Sequence, residues 1–158
     1  MSESFNTFLV KGAFTSKTDD WGTPQKTFDE LNQEFNFTLD VAAGSHNHKC
    51  SSWYGLDHPD ESRHDGLAAD WFQDAQGGSI FMNPPYGKTI GLWTAKAREV
   101  ALQGATVVCL LPARTDTRWF HNSCVDFEIR FVKGRLKFND GKNGAPFPSM
   151  IVVMKKTN

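Results

Sequence analysis

The chain has 158 residues, 39% hydrophobic, 13% aromatic and 22% charged, the composition of one globular domain of common size rather than of a disordered or fibrous chain. No apolar run reaches membrane-spanning length, the opening MSESFNTFLVKGAF has no basic region leading into an apolar one, and Cys50, Cys109 and Cys124 form no paired framework. The expected setting is therefore a reducing cytoplasm without membrane contact. A net charge of -1 hides a split: residues 1–87 hold 5 Lys/Arg against 13 Asp/Glu and residues 88–158 hold 12 against 5, which suits a basic face for a polyanion in the second half.

Residues 1–20 show no sustained periodicity and read as a flexible N-terminal arm, with one domain over 21–158. In WGTPQKTFDELNQEF, Thr23 suits a cap and Pro24 the first helical position. Phe28, Leu31 and Phe35 recur at helical spacing, which predicts a helix. FNFTLDVAAG predicts a strand from Phe37 to Val41 that turns into small residues, as where a strand ends beneath a ligand. The polar stretch 45–78 offers only SSWYGL as a short strand and GLAADW as a strand or turn end. GGSIFM predicts a buried strand, and KTIGLWTAKAREVALQG a helix with Ile90, Trp93, Ala97, Val100 and Ala101 on one face and Gly104 past its end. ATVVCLL has the apolar run of a central parallel strand. After a short segment TDTRWFHNSC, the stretches FEIRFV, GRLKF and PSMIVVMK read as strands, the last two joined through NDGKNGAPF as a C-terminal antiparallel hairpin. Strands alternating with helices predict an α/β sandwich with a mostly parallel sheet.

The stretch FMNPPYGKTI follows the predicted strand GGSIFM, and in open α/β sheets ligands bind beyond the carboxyl ends of strands. Pro84 and Pro85 each bias the residue before them towards extended geometry, and neither has an N–H to claim a neighbouring carbonyl. The Asn83 side-chain oxygen and the Pro84 carbonyl would then present two acceptors side by side, with Tyr86 offering a flat face. That constellation fits a planar amine whose lone pair is delocalised into a ring. Two acceptors on its hydrogens favour a pyramidal nitrogen and free the lone pair to attack an electrophilic methyl group, so positioning and electrostatics carry the rate. The bland alternative is a Pro-Pro turn whose asparagine bonds only local backbone.

A second cluster, HNHKC, places His46, His48 and Cys50 at alternate positions, so on a strand all three would face one side, with His58, His64 or Cys124 as a fourth ligand. Standard zinc spacings are absent, and the expectation is an ordinary polar loop with no metal. A metal-dependent nuclease is a weak rival on that ground.

NPPY is the motif of amino-methyltransferases that use S-adenosylmethionine. WGTPQKTFDELNQEFNFTLDVAAG, DGLAADW, FMNPPYG, LLPARTDTRWFH, and KGRLKF followed by APFPSMIVV together make the chain resemble the phage-type DNA N6-adenine methyltransferase family over roughly residues 21–154. The resemblance implies a Rossmann-like S-adenosylmethionine-dependent methyltransferase fold in a phage or prophage protein, acting on double-stranded DNA in a bacterial host. By motif position it puts Thr23 and Pro24 at the methionine end of the cofactor, Asp40 and Ala42 in the first-strand loop, and Asp65 and Asp70 at the adenosine end. The first loop, DVAAG, has one glycine where the family is glycine-rich, which leaves contacts around Ala42 and Ala43 open. Asp57, Asp60 and Glu61 all lie near the distance, about 20 residues past that loop, where such folds place a ribose-binding carboxylate. The chain is too short for a separate target-recognition domain, so specificity falls to loops, to the arm or to a second subunit in a homodimer. Arg114, Arg118, Lys133, Arg135 and Lys137 are the expected phosphate contacts, with Trp119 or Phe120 as a wedge beside an extruded base. Alternatives are a methyltransferase of RNA or protein glutamine working through the same corner, and a DNA-binding module without catalysis.

Overall fold

The computed structural model describes residues 21–157; the arm expected at 1–20 lies outside them. In chain order the elements are α1 (Gln25–Phe35), β1 (Phe37–Asp40), α2 (Trp71–Asp74), β2 (Ser79–Met82), α3 (Ile90–Leu102), β3 (Val107–Pro112), α4 (Arg118–Ser123), β4 (Glu128–Phe131) and β5 (Ser149–Met154), with single 3-10 turns at Glu61–Arg63 and Phe138–Asp140. They make a mixed α/β protein around one five-stranded sheet of order β1-β2-β3-β5-β4. β1, β2 and β3 are parallel, Asp40 aligning with Phe81 and Met82 with Cys109; β5 runs antiparallel to β3 and to β4.

Side-chain pattern and burial agree in β3 and β5. Every residue of β3 and β5 is buried, which is why VVCLLP, and SMIVVM after its first serine, are apolar runs. β4 is an edge strand paired on one side only, and its burial does not follow its charged–apolar alternation: Ile129 and Arg130 are half-buried while Glu128 and Phe131 are exposed. α1 lies on the face that carries Phe81, with the Phe28 ring edge-on at 5.2 Å. Because Asp40 is in register with Phe81, its side chain leaves that same face.

Three expectations change. Pro24, not Thr23, occupies the cap position of α1, and no side chain of the cap residue bonds back; instead Asp140 Oδ1 accepts from the Gln25 N–H at 3.1 Å. The hairpin of GRLKF with the last strand does not form. Both edges of β5 are already taken, by β3 and β4, so β4 and β5 are the antiparallel pair and 132–148 is the long connection between them. Gly134, the first residue of GRLKF, has positive φ, and the loop closes on itself through Ala145 N–H to the Leu136 carbonyl and Arg135 to the Ala145 carbonyl. TDTRWFHNSC, finally, contains a helix, α4, capped by the Thr117 hydroxyl.

The long polar stretch after β1 is a clasp on the sheet's carboxyl edge. Asp40 N–H donates to Ser52, Tyr54 N–H to Asp40 and Ala43 N–H to the Tyr54 carbonyl, so 52–54 runs beside the end of β1 as a short parallel extension. Gly55 and Gly66 permit this approach: a Cβ on Gly55 would stand 2.0 Å from the Ala43 carbonyl oxygen, and one on Gly66 2.5 Å from that of Val41. Lys96 of α3 holds the far end of the loop by donating to the Leu67 and Ala69 carbonyls.

Candidate active site

Asn83 and Pro84 follow directly on β2, at the carboxyl edge where the β1 end, the segment 21–24 and the loop 138–147 meet. The Asn83 amide nitrogen donates to the Trp21 carbonyl at 2.5 Å and to the Thr23 hydroxyl oxygen at 2.9 Å. Both amide hydrogens are thereby committed, which fixes the orientation of the group, and Oδ1 is buried with no partner. A buried acceptor left unpaired is costly unless something else satisfies it. The adjacent Pro84 carbonyl also receives no N–H from the described residues. Two adjacent acceptors therefore stand open at one strand end, as the residue types require.

Tyr86 is placed differently from a free platform. It is 3% exposed; its hydroxyl donates to the Leu110 carbonyl at 3.0 Å, and its ring meets Phe138 and Phe147 edge-on at 6.1 and 5.7 Å. Burial pushes its phenol well above the ordinary range, so it stays a neutral donor. Trp21 joins the same aromatic group, 5.5 Å from Phe138 and 5.1 Å from Phe147. The loop carrying these rings is tied to the segment before α1: Gly22 N–H donates to Asn139 Oδ1 at 3.0 Å and Asn139 N–H to the Gly22 carbonyl at 2.7 Å.

Asp40 is the second unsatisfied group. It is 2% exposed; Oδ2 accepts from Lys49 N–H at 2.9 Å and Oδ1 has no partner. Burial pushes its carboxyl up to about 7, against the opposing pull of the Lys49 and Ala42 N–H groups and of His48 and Lys49. A buried carboxyl with a free oxygen suits a cationic ligand, which would draw it to the ionised form. Thr23, also buried, gives its oxygen to Asn83 and keeps a hydroxyl proton to donate.

The other acidic residues have local work. Asp65 accepts from Leu67 N–H, Asp70 caps α2 through Gln73 N–H, Asp57 holds the Ser45 N–H and hydroxyl, and Asp60 caps the Glu61–Arg63 turn. Asp65 and Asp57 both sit in segments that approach the strand end and its loop, through Gly66 against Val41 and Gly55 against Ala43. Among the basic residues, Arg114, Arg118, Lys133, Arg135 and Lys137 are all exposed. Arg114 stacks over the Phe147 ring at 5.7 Å, while Arg135 is partly engaged with the Ala145 carbonyl. Phe120 is a core residue at 5% exposure, which removes it as a wedge and leaves Trp119, half-buried beside it.

The HNHKC stretch forms no strand. His48 stacks flat on Trp53 at 4.7 Å with its Nδ1 2.7 Å from the Cys50 carbonyl oxygen, and burial pushes the Cys50 thiol up to about 12. His58 and His64 bond to backbone groups within the same loop. Among the described residues no three His, Cys, Asp or Glu are placed to hold a metal.

Sequence reasoning finds Asn83, Pro84 and Asp40 because their signal is local. It misses the Trp21 carbonyl, Asn139, Phe138 and Phe147, whose part depends on contacts distant in sequence, 62 residues for Trp21 to Asn83 and 117 for Gly22 to Asn139; the positive-φ pair Asn139–Asp140 inside NDG is the one local hint of a tight turn there.

The carboxyl edge of this α/β sheet thus holds a committed asparagine with an unpartnered oxygen beside an open proline carbonyl, two adjacent acceptors of the kind that suit the hydrogens of an amine. Residues 12–158 match the family model described as DNA N-6-adenine-methyltransferase (Dam), and the chain belongs to that family. It is 35% identical over 150 residues to a protein of Haemophilus phage HP1 named DNA N-6-adenine-methyltransferase, covering 89% of this chain and 80% of the phage protein.

Proposed function

We propose that the chain transfers a methyl group from S-adenosylmethionine to N6 of an adenine extruded from duplex DNA, with Asn83 and Pro84 as the acceptors of the amine. The observation that carries this reading is the Asn83 oxygen, buried at the end of β2 and left open while its amide nitrogen is held by Trp21 and Thr23. Membership of the DNA N-6-adenine-methyltransferase family supports the substrate. The sheet order, with one reversed strand between two that run alike, supports a Rossmann-like methyltransferase fold.

When bound, the cofactor supplies an electrophilic methyl group on a sulfonium sulfur. The chain's own residues manage the amine. Asn83 Oδ1 and the Pro84 carbonyl each accept one N–H, which favours a pyramidal nitrogen and localises its lone pair. Pro85 holds Pro84 extended and contributes no N–H, so the carbonyl stays directed at the amine. After transfer the nitrogen is cationic and acidic; the same two acceptors stabilise it until its proton passes to water, and no strong base is needed.

Asp40 Oδ1 would take the cofactor's ammonium and the Thr23 hydroxyl its carboxylate, with Pro24, Ala42 and Asp65 lining the approach and Asp70 closing the loop beyond. Tyr86, fixed by Leu110, is the stacking face for the base once the half-buried Phe147 moves aside. Phosphates lie on the exposed cations Arg114, Arg118, Lys133, Arg135 and Lys137.

Duplex DNA incubated with methyl-labelled cofactor and digested to nucleosides tests the reading. The label should appear in N6-methyladenine. Label in another nucleoside, in RNA alone or in a protein amide would reject the substrate.

A further inference from the structure

Immediately beyond the corner lies a groove of about 600 Å³, formed where Gly87–Gly91 and the start of α3 face α4. That volume is in the range that accepts a nucleotide-sized ligand. Its chemistry is one-sided: Lys88, Arg114 and Arg118 line it and no carboxylate does. Three other arginines are paired with carboxylates, Arg98 with Asp126, Arg130 with Glu34 and Glu128, and Arg63 beside Asp74, while Arg135 bonds the Ala145 carbonyl. Among the described residues no acidic group lies within ion-pair distance of Lys88, Arg114 or Arg118. Three uncompensated cations around one depression are complementary to phosphate.

The same groove holds an aromatic side chain and an amide. Trp119 is half-buried and lines the groove with Gly91, and Asn122 is exposed with donor and acceptor unused. The groove also touches the reaction corner, since Gly87 and Lys88 follow Tyr86 in the chain and Arg114 lies over Phe147, whose ring abuts Tyr86. The opening therefore adjoins the NPPY corner both along the chain and through the Arg114–Phe147–Tyr86 contacts.

We propose that the groove is a second subsite, which takes the nucleotide neighbouring the extruded adenine on the same strand: phosphate on Lys88, Arg114 and Arg118, base against the Trp119 indole, base edge on the Asn122 amide. The assignment rests on the reading of the chain as a DNA adenine methyltransferase, and it makes Trp119 and Asn122 determinants of sequence context. In a chain whose recognition falls to loops, that places part of the specificity next to the chemistry.

The test uses the full chain and randomised duplex DNA with 5-iodouracil in place of thymine. After irradiation and digestion, cross-links should map to Trp119. In parallel, methylated contexts in unmodified randomised DNA are sequenced. Trp119→Ala should lower kcat/KM on the order of 10- to 100-fold, the usual effect of losing one stacked base, and Trp119→Phe, which keeps a smaller stacking face, should lower it less. Asn122→Ala, an exposed change with no packing role, should relax base preference at the neighbouring position and leave cofactor affinity unchanged. Cross-links confined to other segments, or a context profile that neither Trp119→Ala nor Asn122→Ala alters, overturns the proposal. Trp119 cross-linked in a wild-type protein that makes no N6-methyladenine would leave the groove standing and reject the reaction instead.

Discussion

Asn83, half-buried, and Asp40, buried, stand at adjacent strand ends, each with a buried oxygen that the described residues do not satisfy. Their roles separate by measurement. Thr23→Val removes the hydroxyl that accepts from Asn83 Nδ2, so the amide loses one of its two anchors. Because the same hydroxyl is placed on the cofactor's carboxylate, Thr23→Val should raise the cofactor dissociation constant and also lower the methylation rate about tenfold at saturating cofactor, the effect of a misaligned acceptor; a rise in dissociation constant at constant saturated rate would make it a cofactor ligand only. Asp40 carries a pH signature. Burial raises its carboxyl from 3.8 to about 7, and a cationic ligand requires the ionised form. Cofactor affinity should therefore climb about tenfold per pH unit up to pH 7 and level off above it, and Asp40→Asn should flatten the profile. The ligand-free protein should show the opposite trend in stability: above about pH 4 the unfolded chain has released a proton that the fold still holds, so stability falls as pH rises towards 7. Isothermal titration of the cofactor and denaturant melts across that interval check both signs.

Among the elements, the connection 132–148 between β4 and β5 is the part that sequence pattern misplaces and the site depends on. GRLKF has strand-like alternation, but alternation cannot say which edge is available, and β5 has none left after pairing with β3 and β4. The connection instead carries Phe138 and Phe147 onto Tyr86 and sends Asn139 and Asp140 to the segment before α1. By contrast VVCLLP, SIFM and the α1 pattern were legible because burial on both faces, or on one helical stripe, writes itself into residue type. Asp140→Ala removes the acceptor at the first N–H of α1, so a loss of about 1 kcal/mol in unfolding free energy is expected, as for other helix N-terminal caps. Urea denaturation measures it; an unchanged midpoint would mean that water replaces Asp140 without cost. Tyr86→Phe leaves the Leu110 carbonyl without its donor while keeping the ring, and should cost on the order of 1 kcal/mol in stability yet hold the methylation rate within tenfold. A rate loss as large as that of Tyr86→Ala would move the role of Tyr86 from its face to its hydroxyl.

For the whole molecule, a net charge of -1 conceals a basic second half, and the fold gathers part of it, Lys88, Arg114 and Arg118, beside the NPPY corner. The charge split pointed to a polyanion without saying where, because sequence order does not fix which loops converge at the sheet's carboxyl edge. DNA affinity should fall with salt at a log–log slope of about -0.9 for each phosphate neutralised, and Lys88→Glu with Arg118→Glu should reduce that slope by about 2 while leaving cofactor titration unchanged. An unaltered slope would place the DNA on another face. The most direct test of the central claim, that Asn83 Oδ1 receives the amine undergoing methylation, compares Asn83→Ala with the wild-type chain in single-turnover methylation of duplex DNA and in cofactor titration. The account predicts a rate at least about 100-fold lower with cofactor affinity within a few-fold, as for a lost transition-state acceptor. A variant that methylates adenine at the wild-type rate, or that loses its rate only in proportion to its cofactor binding, would contradict it.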